Sequence, residues 1–414
     1  IMNKIEAFVY GLVKNNYIVK NALRNIYQGF YDLLPNYESW FLHRPVVKPG
    51  CFFGFHDVTP FSLDNQRLLA NRLTIPLRMP TADDVLEVGF FSGKDYEEWH
   101  KVAETRAWNY HKGCRLQWRN SKEVIFNIAE GAKVKSAIVN VDNGNALYLD
   151  WPIDTISPDG ALATSFSYER LQTMMPGYGY VYSDDDAYLD QDVTEKTGLF
   201  LIDVASNQRK LLLSLQSIAE FEHEATMDDA FHFVTHTEFS PDSRYVSFLH
   251  RWYRGTFQKT RLMVYDLQTK SLWASPTSGM VSHYVWNNLN GIVAYCRIAD
   301  IDSHVYFTDN TMKHFKRCGY PQLNSDGHHS FVNDREFVVD TYPDKRRHAK
   351  IYKVNIDTDK VELVADCRSY KKFASPTLYK HWACDLHPRC SRDGSLLSFD
   401  SVFVGERSLC VMKL

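Results

Sequence analysis

The chain has 414 residues, of which 44% are apolar and 14% aromatic, and its formal net charge is −3. This composition allows a large core, and the near-balanced charge excludes the strongly basic surface that is typical of nucleic-acid binding. The sequence contains no apolar run of the length that predicts a transmembrane helix.

Cysteine usage and the first residues bear on the compartment. Eight cysteines occur without a CxxC pair or a compact framework, which predicts reduced thiols and a cytoplasmic protein. The start does not predict a secretory signal, because charged residues interrupt each apolar stretch and no small-residue cleavage site follows. A leader removed beforehand would leave the same pattern, so secretion stays open as the alternative.

An N-terminal helical segment is predicted for residues 1–36. Apolar residues recur there at helical spacing, and Pro35 ends the pattern. The simplest interpretation is a helical cap that docks on the rest of the chain. Lys14, Lys20 and Arg24 give the segment a basic face, so docking on a membrane surface or on another subunit is the alternative.

From about Gly50 to Leu414 the pattern changes to short strands separated by turn signals. Seven segments repeat one unit, in which a strand enters a tight polar turn and an apolar strand leaves it. They are Gly54–Leu73, Gly113–Asn127, Ile153–Phe166, Val234–His250, Val281–Arg297, His328–Tyr342 and Asp385–Val402. Several of these turns carry Ser-Pro-Asp-Gly or a close variant.

Repeats of this length and content predict an all-β fold, a seven-bladed β-propeller over residues 37–414. Six or eight blades are the alternative counts, and a β-sandwich fits the regular turns less well. The last unit ends at its third strand, Ser408–Leu414. Because a propeller must close to remove its edges, we expect an early segment, Trp40–Val47, to supply the missing outer strand.

Propeller geometry predicts which residues share a face. The start of each innermost strand and the end of the next strand lie on one face, opposite the Ser-Pro-Asp-Gly turns. Histidines, arginines, tyrosines and aspartates are concentrated at these positions, which predicts a funnel for an anionic substrate. Any single histidine near a propeller axis is more often a structural partner than a catalyst, so the prediction depends on the whole set.

The histidines also suggest a metal. Neutral imidazoles from consecutive blades can hold a divalent cation at the axis. The predicted ligands are His283, His329, His387 and Asp385, for Mn²⁺, Zn²⁺ or Ca²⁺. The sequence has no HxH or HExxH motif to support a metal. Without one, the same ring would supply a general base and hydrogen-bond donors.

Two arginines follow strand ends beside tyrosines. Arg170 and Arg251, next to Tyr168 and Tyr253, are suited to a carboxylate, because the planar guanidinium grips such a group with two parallel hydrogen bonds. Solvated loop charges are the alternative interpretation. The long excursion Leu171–Thr194 contains MMPGYGYVYSDDD, which predicts a loop over the funnel whose aromatic residues stack on sugars.

Five motifs resemble propeller proteins related to the oligogalacturonate lyases and ulvan lyases. They are Phe53–Asp57, Thr105–Asn109, Gly113–Trp118, Asp340–Asp344 and Asp385–Arg389, and the resemblance covers about residues 50–414. It implies β-elimination of a uronic-acid glycan, with a manganese ion held by histidines or with His, Tyr and Arg as in the ulvan-type enzymes. His111, Tyr168 and Arg170 would match those three roles. Asp385 stands where the manganese pattern has a histidine, and no glutamine precedes it.

The predicted function is therefore a polysaccharide lyase whose substrate is an acidic oligo- or polysaccharide. The base would be His236 or His111, the acid Tyr168, and the carboxylate partners Arg170 and Arg251. The remaining predicted substrate contacts are His56, Asp57, Arg72, Tyr253, Arg297, Tyr342 and Arg389. Two alternatives stay open: a non-catalytic propeller that binds glycans or proteins, and a hydrolase or glycosyltransferase of polysaccharide assembly. A hydrolase would need two carboxylates at the funnel, where histidines outnumber them.

Overall fold

A computed structural model describes residues 37–182, 186–255, 257–375 and 381–414, together with Gly29 and Tyr31. The predicted helical segment of residues 1–36 lies almost entirely outside these residues, as do Asp184 and Asp185 of the predicted acidic loop tip. Within the described residues, no helix is both long and apolar enough to cross a membrane.

The described residues form seven antiparallel sheets, which are the blades of a seven-bladed β-propeller. Two strands precede the first blade, β1 (Trp40–Phe41) and β2 (Val46–Pro49). Blade 1 contains β3 (Cys51–Phe52), β4 (Leu68–Leu73), β5 (Leu86–Ser92) and β6 (Glu98–Thr105). Blade 2 contains β7 (Gln117–Trp118), β8 (Glu123–Glu130), β9 (Lys133–Asn140) and β10 (Ala146–Leu149). Blade 3 contains β11 (Leu162–Ser165), β12 (Gly198–Asp203) and β13 (Gln208–Ser214).

The other four blades follow the same order from the axis outward. Blade 4 contains β14 (Phe231–Phe239), β15 (Tyr245–Arg254), β16 (Phe257–Asp266) and β17 (Leu272–Ala274). Blade 5 contains β18 (Val281–Trp286), β19 (Ile292–Ile298), β20 (Ile301–Phe307) and β21 (Phe315–Cys318). Blade 6 contains β22 (His329–Asn333), β23 (Glu336–Asp340), β24 (His348–Asn355) and β25 (Val361–Arg368). Blade 7 contains β26 (Arg389–Cys390), β27 (Leu396–Ser401) and β28 (Ser408–Lys413).

An early strand closes the ring, although not over the predicted bounds. β2 pairs with β28, with Val46 opposite Val411 and Pro49 opposite Ser408, and becomes the outer strand of blade 7. β1, which the prediction placed in the same strand, instead pairs with β25 as a fifth strand of blade 6. The chain entering the propeller therefore ties two neighbouring blades together.

The recurrent polar turns are self-supporting structures. In four blades a serine hydroxyl donates to the aspartate two residues later, in the pairs Ser62–Asp64, Ser157–Asp159, Ser240–Asp242 and Ser391–Asp393. Glycine is required at Gly160, which has φ of 72°, and an added Cβ would lie 2.8 Å from the carbonyl oxygen of Arg119. These turns lie on one face of the ring, here called the turn face.

Two helices and three short 3₁₀ turns complete the described structure. They are α1 (Tyr168–Met174) and α2 (Leu215–Glu220), with 3₁₀ turns at Lys94–Tyr96, Ala225–Met227 and Lys371–Phe373. α1 begins after Ser167, whose hydroxyl accepts a hydrogen bond from the Arg170 N–H. Along the chain, α1 lies between β11 and β12 of blade 3, and α2 lies between blades 3 and 4.

The central channel contains a buried ionic network. Lys112 Nζ lies 3.0 Å from Asp154 Oδ1, and Arg115 joins Asp154 at 3.1 Å to Asp57 at 2.8 Å. Thr237 donates both its N–H and its hydroxyl to Asp154. Because the carboxylates and cations are paired and hydrogen-bonded, the network can be buried. It lies across the channel between the mouth on the turn face and the mouth on the opposite face.

Candidate functional site

Histidines surround the ring of Phe55 at the channel mouth opposite the turn face, here called the funnel. Five imidazole centroids lie 4.6 to 5.9 Å from the Phe55 centroid. They belong to His56, His236, His283, His328 and His387, from blades 1, 4, 5, 6 and 7. The structure thus brings together histidines from strand-start positions in five of the seven blades.

Irregular backbone aims two of these side chains at the axis. The pairing of β14 with β15 shifts register between Thr235 and Glu238, and the pairing of β18 with β19 shifts between Val281 and Tyr284. His236 lies inside the first irregularity and His283 inside the second. Bulges re-aim side chains and are frequent beside active sites. His236 also has φ of 52° and His387 of 43°, a strained region for residues other than glycine.

Asp340, at the end of β23, organises two histidines from neighbouring blades. Its carboxylate accepts hydrogen bonds from the backbone N–H of His328 at 2.7 Å and of His387 at 2.9 Å. It also accepts from His328 Nδ1 at 2.9 Å. Burial lowers the pKa of His328, but the carboxylates of Asp340, Asp385 and Asp326 together outweigh burial and raise it. Asp340 is therefore a positioning residue for this pair.

His328, Asp385 and His387 form a candidate metal centre, with one ligand atom from each within 4.8 Å of the others. His387 Nε2 is buried and has no hydrogen-bond partner among the described residues. Because Asp340 occupies His328 Nδ1, His328 Nε2 would be its ligand atom, and a carboxylate behind a ligating histidine is the usual arrangement. Burial, reinforced by Asp340 and Asp326, raises the pKa of Asp385 to about 6. This donor set fits a divalent cation with open coordination positions.

The predicted ligand set needs a correction at two positions. His329 follows His328 on an extended backbone, so its side chain points the other way, where its Nε2 lies 2.7 Å from His304 Nδ1 in the interior. The carbonyl oxygen of His329 accepts a hydrogen bond from His56 Nδ1. His283 does lie beside His328, at a centroid distance of 4.1 Å, but its Nδ1 is bonded to Asp326 at 3.2 Å. His283 is thus an oriented imidazole outside the three-ligand group.

Arg251, on β15, is a buried cation at the funnel, only 7% exposed. Its Nε has no hydrogen-bond partner, and it forms no ion pair within the described ranges. Burial lowers the pKa of its guanidinium, and the charges of Tyr253, Tyr178 and Asp326 act in the opposite direction. A buried guanidinium without a carboxylate partner is a binding site for an anion.

The predicted loop over the funnel places Tyr178 in the site. Its ring stacks on His111 with centroids 4.6 Å apart and planes 7° from parallel. Asn109 holds the loop by donating to the carbonyl oxygens of Tyr178 and Gly179, both at 3.1 Å. Burial raises the pKa of Tyr178, followed by the nearby carboxylate of Asp385. Tyr178 is therefore a protonated phenol, next to both Asp385 and Arg251.

Tyr168 does not lie in the funnel, which corrects its predicted role as the acid. It is fully buried on α1, and its hydroxyl donates to the carbonyl oxygen of Ile153 at 2.7 Å. Its ring stacks on Tyr180. The misassignment arose because residues after Phe166 form a helix and not the continuation of a strand.

Arg170 is likewise a structural residue and not a carboxylate ligand. Its guanidinium donates to the carbonyl oxygens of His232, Tyr188 and Gln191, at 3.1, 2.5 and 2.8 Å. These contacts fasten Tyr188 and Gln191 to β14 of blade 4.

We expect Arg170→Lys to lower stability without a specific loss of activity. Lysine keeps the charge but cannot reach three carbonyl oxygens, and each unsatisfied buried acceptor costs about 1–3 kcal/mol. Chemical denaturation of this variant and of Arg106→Lys, an exposed control expected to change stability by less than about 0.5 kcal/mol, measures the difference. Unchanged stability with a large loss of turnover would return Arg170 to the substrate site.

The predicted substrate contacts divide into two groups. His56, Tyr253 and Tyr342 lie at the funnel, and the Tyr342 ring meets His328 edge-on at 5.7 Å. The other four do not lie at the funnel, so their predicted role as substrate contacts is corrected. Asp57 is paired with Arg115 inside the channel, and Arg389 is fully buried against Gly54 O and Asp400. Arg72 and Arg297 are outer residues paired with Glu87 and Asp302, with side chains 52% and 41% exposed.

His111, one of the two predicted bases, lies under Tyr178. Its Nε2 contacts His381 Nδ1, and its Nδ1 lies 3.7 Å from Asp385. With both nitrogens facing protein groups and only 1% of its surface exposed, it supports Tyr178 and Asp385. His236, the other predicted base, does lie in the histidine cluster, with Nδ1 bonded to the Thr235 hydroxyl at 2.9 Å.

Sequence reasoning missed Tyr178, Asp326 and His381 as site residues. Tyr178 had a signal, since the Gly-Tyr-Gly-Tyr stretch was predicted to cover the funnel. Asp326 and His381 had none, because they lie in irregular segments between strands. A cavity of about 280 Å³ lies elsewhere, on the turn face. The funnel is thus identified by its chemistry and not by cavity size.

Comparison with solved structures shows the same fold in enzymes of different classes. An oligogalacturonate lyase from Vibrio parahaemolyticus is similar at a TM-score of 0.58 and 9% identity, covering 89% of this chain and 92% of that one. The tricorn protease is similar at 0.51 and 10% identity, covering 92% of this chain but 36% of that one. These likenesses confirm the resemblance at the level of the seven-bladed propeller.

Sequence comparisons add no family. No protein-family profile matches the chain, and no curated protein matches it. An oligogalacturonate lyase in complex with manganese aligns over 92% of this chain at 11% identity, but its TM-score of 0.40 is too low for site positions to be carried over. These likenesses therefore assign no function to residues of this chain.

Proposed function

We propose that the protein is a lyase that cleaves a uronic-acid-containing glycan by β-elimination in the funnel. The observation that carries the proposal is Arg251, a buried guanidinium without a carboxylate partner among the described residues, next to the phenol of Tyr178 and near a His₂Asp ligand group. We interpret these as an anion site, a proton donor and a cation site. A uronate at a cleavable linkage presents a carboxylate to the anion and cation sites and a departing oxygen, O4, to the proton donor.

Neutralising the uronate carboxylate is the first requirement. Removing the C5 proton places charge next to the carboxylate, so an uncompensated carboxylate would oppose the reaction. Arg251 can bind it with two parallel hydrogen bonds in a buried setting where the interaction is strong. A divalent cation held by His328, Asp385 and His387 would supply further charge compensation at the same group.

His283 is the proposed base. Its Nδ1 bonds to Asp326, which leaves the lone pair on Nε2 and fixes the ring. Asp326 is held in turn by the Ser282 hydroxyl at 2.6 Å and the Gly327 N–H at 2.8 Å. Burial lowers the pKa of His283, with His328 and His56 adding to the effect, so the ring is neutral near pH 7. His236 is a neighbouring member of the same histidine cluster and is not the base in this proposal.

Tyr178 is the proposed acid. Its hydroxyl makes no hydrogen bond within the described residues, and the raised pKa keeps the proton on the phenol until a stronger base forms. In the reaction the C5–H pair forms the C4=C5 double bond, the proton passes to His283, and the C4–O4 bond breaks. The departing O4 takes the Tyr178 proton, so the enzyme ends with protonated His283 and a tyrosinate that exchange protons with solvent.

Turnover of polyuronates tests the proposal. We expect the ultraviolet absorbance of a C4=C5 unsaturated uronate to appear with uronic-acid polysaccharides and not with neutral glycans of the same length. Treatment with EDTA should lower the rate if the His₂Asp group holds a cation, and His387→Ala should abolish the rescue by added Mn²⁺. New reducing ends without the absorbance would indicate a hydrolase. Binding without turnover would indicate a non-catalytic propeller.

A further inference from the structure

The channel has a second mouth with its own chemistry. A cavity of about 280 Å³ opens on the turn face, and its walls come from blades 1, 2, 3, 4 and 7. Phe55 and the network of Lys112, Asp154 and Arg115 separate it from the funnel. The cavity is therefore a distinct space, and what it binds is independent of the proposed lyase activity.

Carboxyl groups outnumber cations at the floor of this cavity. Arg115 donates both terminal nitrogens to Asp57, at 2.9 and 2.8 Å, and Lys112 is paired with Asp154 at 3.0 Å. Glu238, the third carboxyl, lines the cavity, is 8% exposed and forms no ion pair within the described ranges. Burial raises its pKa, and the charge of Asp57 raises it further. Glu238 is therefore protonated in the unliganded cavity, and a cation placed at this carboxyl would favour its ionised form.

The mouth of the cavity carries a positive charge without a counterion among the described residues. Arg392, in the turn of blade 7, lines the cavity and is exposed, with no hydrogen bond or ion pair to any described residue. Its neighbour Asp393 is no counterion, because it accepts from Ser391, Ser395 and Asn65. The part of the Arg392 side chain that lies against the cavity wall is desolvated, which lowers its pKa, and no carboxylate acts against that effect. One negative charge would balance the mouth.

The other polar walls are already satisfied. Gln117 donates to the carbonyl oxygens of Arg115 and Asp154, and Trp118 Nε1 donates to the carbonyl oxygen of Pro60. The hydroxyl of Ser157 is bonded to Asp159. Arg119 is paired with Glu123 at 2.6 Å, and Glu238 accepts a hydrogen bond from the Trp286 backbone. Glu238 and Arg392 are thus the charged wall residues without an ion-pair partner among the described residues.

We propose that the turn-face cavity binds a small zwitterion, with an ammonium group on Glu238 and a carboxylate on Arg392. The volume is slightly below the roughly 300–1,000 Å³ of drug-sized ligand pockets, which suits an amino acid or a dipeptide. The ammonium would favour ionisation of Glu238 and form an ion pair with the resulting carboxylate. The carboxylate would take the two-pronged hydrogen bonds that a guanidinium offers.

Calorimetric titration tests this assignment. The probes are each standard amino acid and glycylglycine as zwitterions, with acetate and ethylamine as molecules carrying only one of the two charges. We expect at least one zwitterion to bind with Kd below about 1 mM and both single-charge probes to bind more weakly. Glu238→Gln and Arg392→Gln should each weaken binding about tenfold or more, the usual value of a charged hydrogen-bond partner. Binding should also release a proton to the buffer, because Glu238 ionises.

Arg335→Gln is the matched control, since Arg335 occupies the equivalent turn in blade 6, is 59% exposed and does not line the cavity. It should leave binding unchanged. Acetate binding that is as tight as that of the zwitterion, or ethylamine binding as tight, would overturn the zwitterion assignment. So would the absence of binding by every probe to folded protein. If Glu238→Gln does not fold, Arg392→Gln decides the question, because its side chain is exposed in a surface turn.

Discussion

Arg251→Gln should reduce kcat/KM on uronate substrates by about a hundredfold or more while the protein stays folded. Loss of one preorganised charge at the reacting group typically lowers the rate by about 10²–10³. The fold should tolerate the change, because Arg251 has no ion-pair partner in the described structure to leave behind and its Nε already lacks a hydrogen bond. Thermal unfolding and steady-state kinetics on the same preparation measure both effects.

Two further variants separate binding of the carboxylate from general charge. Arg251→Lys keeps a cation but loses the two-pronged geometry, so it should recover only part of the activity. Arg297→Gln removes an exposed arginine that is already paired with Asp302 at 2.6 Å, and it should change activity less than about threefold. Equal losses of activity in Arg251→Gln and Arg297→Gln would show that activity depends on the overall positive charge near the funnel and not on a specific contact with the carboxylate.

Tyr178→Phe should have an effect of similar size, with a different signature. General-acid catalysis is worth about 10²–10⁴ in rate, and the variant keeps the ring that stacks on His111. We expect kcat to fall and KM to change little. The loss should be smaller for substrates with a better leaving group, because they need less protonation of O4.

Tyr168→Phe is the control for Tyr178→Phe. Its hydroxyl bonds to the carbonyl oxygen of Ile153 inside the protein, so its removal should lower stability by about 1 kcal/mol and leave the kinetics of the folded protein unchanged. A loss of turnover in Tyr168→Phe but not in Tyr178→Phe would reverse the assignment of the acid.

The fold could be predicted from the sequence because its signals are local. Each polar turn is built from residues that bond to one another, as Ser157 does to Asp159, so the turn is legible without knowing the rest of the chain. Counting those turns gave seven blades. The closing strand was placed a few residues early, since the sequence shows apolar residues near the start but not which blade edge each one meets.

The site could be predicted only in part, because side-chain direction depends on backbone detail that residue types do not encode. His328 and His329 are adjacent, and only the start of β22 decides that His328 faces the axis. Bulges in blades 4 and 5 turn His236 and His283 toward the funnel. A helix after Phe166 buries Tyr168, and the tyrosine that lies at the funnel is Tyr178, ten residues further along the chain.

Arginines were a recurrent source of false predictions. An arginine at a strand end has the same appearance in sequence whether it binds a substrate or a backbone. Arg170 and Arg389 each donate to carbonyl oxygens of the protein, whereas Arg251 has a nitrogen without a partner. The difference is a matter of which acceptors the fold brings near, and it appears only in three dimensions.

The masses of the products test the central claim most directly. In β-elimination the bond breaks without uptake of water, so the masses of the two fragments from a defined oligouronate should sum to the mass of the substrate. Mass spectrometry of a short digestion, with Arg251→Gln as the matched control, measures that sum. Elimination predicts equality with the wild-type protein and intact substrate with the variant. A sum that exceeds the substrate by one water would show hydrolysis and contradict the account.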